Sequence, residues 1–125
     1  MPKKLAQKEK GPLESLFNSS AARLLDFFVV FNKWDYSKTD IAECAEVSIR
    51  TVMRTLPYLE EHGIIKRTRT VGNAEMYQTN IESPIIQHLH KSAHAIATVD
   101  IDKELRRQGY EKKEQAEEKT ETVRA

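Results

Sequence analysis

The chain has 125 residues, 39% of them apolar and 31% charged, with a net charge of +1. That length suffices for one domain with a core, not two. No apolar run approaches the roughly 20 residues of a membrane helix, the lysines of MPKKLAQKEK lead into no apolar segment that would make a signal peptide, and a single cysteine, Cys44, rules out an internal disulfide and suits a reducing cytoplasm.

Residues 1–12 are rich in lysine and end in Gly11-Pro12, which predicts a disordered basic arm. Leu13, Leu16 and Phe17 come next, placed to pack back on a core. Ser19 or Ser20 can cap a first helix, whose apolar face is Leu24, Leu25, Phe28, Val29 and Phe31. NKWDYS breaks that helix and predicts a very short strand through Trp34 and Tyr36. Ser37 or Thr39 then caps about two turns, TDIAECAE, with Ile41, Cys44 and Ala45 inward. Val47 occupies a tight turn, and Ser48 caps a third helix that runs to His62 with Val52, Leu56 and Leu59 inward.

Pro57 interrupts this third helix. It has no N–H for the carbonyl of Met53, and an interior proline costs about 3 kcal/mol. The expectation is a bend that turns SIRTVMRT outward and packs PYLEEHG under a hairpin; the alternative is a kink that serves packing only. Gly63 ends the helix, and IIKRTRT and EMYQTNI form that hairpin. A two-residue loop would set Ile65 opposite Asn80. A three-residue loop, Gly72-Asn73-Ala74, sets Ile65 opposite Ile81 with Tyr77 on the same face, and is favoured because it gathers the apolar residues. Ser83-Pro84 opens a fourth helix, expected to residue 106, with Ile85, Ile86, Leu89, Ala93, Ile96 and Ala97 along one stripe. Residues 107–125 are too polar to bury a core and read as a charged, disordered tail.

The expected architecture is mainly α with a small β-hairpin (α+β): a winged helix-turn-helix over 13–82 and an additional helix over 83–106. LFNSSAARLLDFF, TDIAECAEVSIRTVMRTLPYLEEHGIIKR and MYQT resemble the corresponding segments of winged helix-turn-helix regulators of the MarR, PadR and ArsR kind. That resemblance, over about residues 13–90, implies a DNA-binding regulator that dimerises through the helix after the wing. The dimer contacts would be Ile85, Ile86, Leu89, Ala93 and Ile96. Packing of the same stripe within one chain is the alternative.

Charge placement supports a polyanionic partner. Residues 48–70 carry Arg50, Arg54, Lys66, Arg67 and Arg69 against Glu60 and Glu61, and residues 1–10 carry four lysines against one glutamate, so the remainder is acidic. The set expected to face double-stranded DNA is Thr39, Ser48, Ile49, Arg50, Thr51 and Arg54 on the helices, with Lys66, Arg67, Arg69 and Asn73 on the wing. Arginine at a helix placed in the major groove can pair with guanine, serine and threonine near the helix start can bond phosphate, and the wing would lie on the backbone and the adjacent minor groove. A solvated basic face and an aggregation-resistant edge strand are the plainer readings.

His90 and His94 share i, i+4 spacing, but His88 points elsewhere and no carboxylate lies at matching spacing before Asp100. No metal or other cofactor is therefore expected. No nucleophile–base pair or glycine-rich phosphate loop suggests an enzyme. A DNA-segregation protein on the same fold, and a winged helix used only for protein contacts, stand as alternatives to a transcription regulator in the cytoplasm; the charged tails offer a place for a partner protein in addition to DNA.

Overall fold

The computed structural model of the chain describes residues 9–109. In chain order the elements are α1 (Pro12–Phe17), α2 (Ser20–Val30), α3 (Lys38–Ala45), α4 (Ile49–Glu61), β1 (Ile65–Val71), β2 (Ala74–Thr79) and α5 (Pro84–Arg107). The expected arm and tail lie outside the described residues except for residues 9–12 and 107–109; Pro12 already sits in the first turn of α1.

Four serines start four helices. Ser19 accepts from the Ala22 N–H, Ser37 from Asp40, Ser48 from Thr51, and Ser83 from Ile85 and Ile86. Each such cap is worth about 1 kcal/mol. Asp40 returns the bond to the Ser37 N–H, which completes a capping box.

α1 has no cap of its own. The carboxylate of Asp26, on α2, accepts instead from the N–H groups of Leu13 at 2.8 Å and Glu14 at 2.9 Å. Burial pushes the Asp26 carboxyl above its ordinary range, and the two donors partly offset this. A Cβ at Gly11 would lie 2.4 Å from Asp26 Cγ, so only glycine lets the chain pass this close. Arg23 ties the same corner to the helix-turn-helix, since it donates to Glu14 at 2.8 Å and to the Ala45 carbonyl at 2.6 Å, at the end of α3.

The core sits where α2, α3, α4 and the hairpin meet. Phe27, Phe28, Tyr36, Ile41, Val52, Leu56, Ile65 and Tyr77 are all buried. The Phe27 ring lies 5.1–5.2 Å from Phe28, Phe31 and Tyr36, with edge-on geometry to Phe28 and Tyr36; such pairs add about 0.5–1.5 kcal/mol beyond burial. The expected strand at Trp34 shrinks to one bridge, in which Tyr36 and Tyr77 exchange both backbone bonds at 2.8 Å. Trp34 is exposed.

Three further expectations are corrected. First, Pro57 does not end α4, which continues as one helix from Ile49 to Glu61. Pro57 and Met53 are both exposed, which leaves the carbonyl without an N–H partner on the solvent side.

Second, the hairpin register differs from the one favoured. Ile65 pairs with Thr79, and the loop is the two residues Gly72-Asn73, with Val71 opposite Ala74. Gly72 has a φ of +62°, suited to two-residue turns that place glycine first. A bulge between Arg67 and Thr70 absorbs the extra residue. The buried Thr79 hydroxyl donates to the Phe28 carbonyl at 2.6 Å, which holds the register, while Ile81 stays 60% exposed.

Third, the stripe on α5 is not free for a second chain. Ile86 and Ala93 are buried, and Leu89 and Ile96 pack against the same core, next to α1 and α2. Once α1 folds back, one side of α5 is needed to cover α1 and α2. Of the five residues assigned to the dimer, Ile85 alone is exposed, at 40%.

Candidate nucleic-acid interface

Residues on α4 follow one another at about 100° around the axis. Val52, Leu56 and Leu59 therefore fix the inward side, Arg50 and Arg54 fall outside, and Ile49 and Met53 lie on the flank between, all four exposed. Thr51, expected to face outward, is buried together with Thr55. The helical period brings Thr55 round toward Leu59, whereas Thr51 stands about 100° from Val52 and is buried on the flank of the helix away from Met53. The Thr51 hydroxyl lies 2.9 Å from that of Ser48, so both support the cap. Ser48 remains exposed at the start of the helix.

Arg50 and Arg54 make no ion pair among the described residues, and neither do Lys38 or Lys66. The other wing cations are committed inside the chain. Arg67 donates to Glu60 on α4 and to Glu75 on β2, each at 2.7 Å, and its guanidinium lies 5.6 Å from the centroid of the Tyr77 ring. Arg69 makes a two-pronged pair with Asp35, at 2.8 and 3.1 Å, and Thr68 donates to the same carboxylate at 2.6 Å. The bonds from Arg69, then that from Thr68, hold the Asp35 carboxyl down at about 2. What this pair contributes is present above the ordinary value of 3.8 and is lost as pH falls toward 2. The wing is thus pinned at its bulge to the loop before α3 and at its base to α4.

Thr39 and Asn73 meet across a concave groove of about 530 Å³ between the first turn of α3 and the hairpin tip, lined also by Ser37, Lys38, Thr70 and Glu75. Lys38 was not among the residues picked from the sequence. Its place one residue after the Ser37 cap was the available signal.

Asp35→Asn is expected to release Arg69 and remove a repelling charge. Binding to a mixed-sequence duplex should tighten a few-fold, and the slope of log affinity against log salt should steepen by about 0.9, one added phosphate contact. Fluorescence anisotropy at several salt concentrations measures both. An unchanged slope would mean that Arg69 meets no phosphate even when freed.

The order of helices, with the outward Arg50 and Arg54 followed by a pinned hairpin, is that of a winged helix-turn-helix. A family model described as the ferric uptake regulator family matches residues 35–124. The chain belongs to that family. Among solved structures, Lactococcus lactis ZitR, a zinc-responsive MarR family member, matches with a TM-score of 0.52 at 18% identity, over 84% of this chain and 72% of that one. MepR, a transcription regulator of the Staphylococcus aureus multidrug efflux pump MepA, matches with a TM-score of 0.54 at 15% identity, over 90% and 82%. The adhesin competence repressor AdcR of Streptococcus pyogenes matches with 0.54 at 15% identity, over 89% and 84%. At these identities the likeness is one of fold. No curated protein matches the chain. The resemblance drawn from the sequence is therefore right about the winged-helix regulator; its MarR part holds as a likeness of fold, and the family is that of the ferric uptake regulators.

The family name raises the question of a metal. Among the described residues, no group of three or more His, Cys, Asp or Glu side chains is placed to hold one. His88, His90 and His94 are exposed on α5, and Cys44 is buried.

Proposed function

We propose that this chain is a sequence-specific double-stranded DNA-binding protein that acts as a dimeric transcription regulator in the cytoplasm. The observation that carries this reading is the exposed pair Arg50 and Arg54 on α4, without ion pairs among the described residues, beside the Ser48-capped start of the helix. Set in the major groove, α4 would offer both guanidinium groups to base edges. Lys38, Thr39, Lys66 and Asn73 would meet the backbone on either side, with the pinned wing fixing the approach. Membership of a regulator family favours transcription over DNA segregation or contacts with protein alone. ZitR, which shares the fold, has been solved in complex with DNA.

A dimer reading an inverted repeat would double the base contacts of one helix. With the expected stripe on α5 occupied, the better surface is the end of α1 and α5. Ser15 bonds Asp100 there at 3.1 Å, and Leu16, Phe17, Val99 and Ile101 are exposed nearby, between 51% and 61%.

The test is salt dependence. If Arg50, Arg54, Lys38 and Lys66 meet phosphates or bases, log affinity for a duplex should fall against log salt by about 0.9 per phosphate contact. Affinity that does not change between dilute and physiological salt would remove the DNA reading and favour a protein-contact module.

A further inference from the structure

The outward face of α4 is not uniformly polar. Ile49 is 46% exposed and Met53 57% exposed, one turn apart, in a strip beside Arg50 and Arg54. At about 100° per residue, Met53 falls between Ile49 and Arg50 on the helix circumference, within the face that would enter the groove. Ile49 and Met53 lie on the flank of the helix and neither belongs to the buried core cluster, so Met53, the more exposed of the two, is open to a ligand. We infer that Met53, supported by Ile49, is a specificity-determining residue that reads the 5-methyl group of thymine beside the guanines addressed by Arg50 and Arg54. This rests on the DNA-binding function proposed for the same helix.

The chemistry is selective. On base edges in the major groove, the thymine methyl is the apolar feature that separates an A·T pair by contact rather than by hydrogen bond. A charged or amide side chain gains nothing from it. Methionine is unbranched and polarizable, so it can settle on a methyl whose position shifts with groove geometry. The flanking cations draw the duplex in, and the apolar strip then discriminates thymine from cytosine. Four residues of helix rise about 6 Å, close to two base-pair steps of about 3.4 Å, so Ile49 and Met53 address positions about two pairs apart.

The probe is a random-sequence duplex pool, enriched on the full chain. Each thymine of the enriched site is then replaced in turn by deoxyuridine, which removes the methyl and leaves every hydrogen-bonding group. Burying one methyl predicts about a fourfold loss of affinity at the position under Met53. Met53→Ala should bind the thymine duplex more weakly and not distinguish thymine from uracil there, while Met53→Leu should keep the discrimination. Circular dichroism of both variants should match the parent, since the residue is exposed. A scan in which no thymine is sensitive overturns the inference, as does a sensitive position that stays sensitive in Met53→Ala. Failure to enrich any sequence overturns the DNA reading itself, and this inference with it.

Discussion

Arg54→Ala is expected to cost about 1–3 kcal/mol of affinity on the preferred duplex and to leave binding to scrambled duplex much less affected. Arg54 lies on the exposed side of α4, one turn beyond Arg50 and away from Val52, Leu56 and Leu59, so its removal should not disturb the core. The two arginines repel slightly at i, i+4 in the free protein, and a guanine or phosphate between them would relieve that. Lys66→Ala offers the contrast. An exposed wing lysine meets backbone, so its loss should weaken all duplexes about evenly. Competition between matched and scrambled duplexes distinguishes the two. Equal loss on both for Arg54→Ala would show that another residue reads the bases.

Ile86→Glu is expected to destabilise the chain severely. Ile86 is 5% exposed and belongs to the core cluster that includes Leu13, Leu24 and Phe28. A glutamate there forfeits the burial of the isoleucine and takes an unpaired carboxylate out of water, together on the order of 3–5 kcal/mol. Domains of this size are stable by only about 5–15 kcal/mol, so thermal melts followed by circular dichroism should show a large drop. Phe17→Glu is the informative partner. Phe17 is 61% exposed on α1, so the fold should survive within about 0.5 kcal/mol, while light scattering should report a monomer. If Ile86→Glu melts like the parent, α5 does not pack on its own chain as described. If Phe17→Glu remains a dimer, the subunits meet elsewhere than the α1–α5 end.

The sequence by itself determined four of the five helices, the two strands of the hairpin and the outward arginines, but not α1. Ser19, Ser37, Ser48 and Ser83 mark helix starts because a cap closes on the N–H two or three residues ahead. Val52, Leu56 and Leu59 set the inward side of α4, and the helical period places Arg50 and Arg54 outside. These are interactions within one or two turns, so local spacing carries them. The same period places Thr51 about as far round from Val52 as the exposed Met53, on the other flank, so spacing alone did not decide its burial. Only the tertiary structure decided what joins distant segments. Asp26 caps α1 from 12 and 13 residues away, Asp35 takes Arg69 from 34 away, and Thr79 reaches the Phe28 carbonyl across 51. That last bond, with the bulge, overrode a register chosen on apolar pattern alone. The α5 stripe was legible as apolar, but apolarity does not name its partner. Once α1 folds back on α2, their joint surface must be covered, and α5 of the same chain is adjacent at no cost in association entropy.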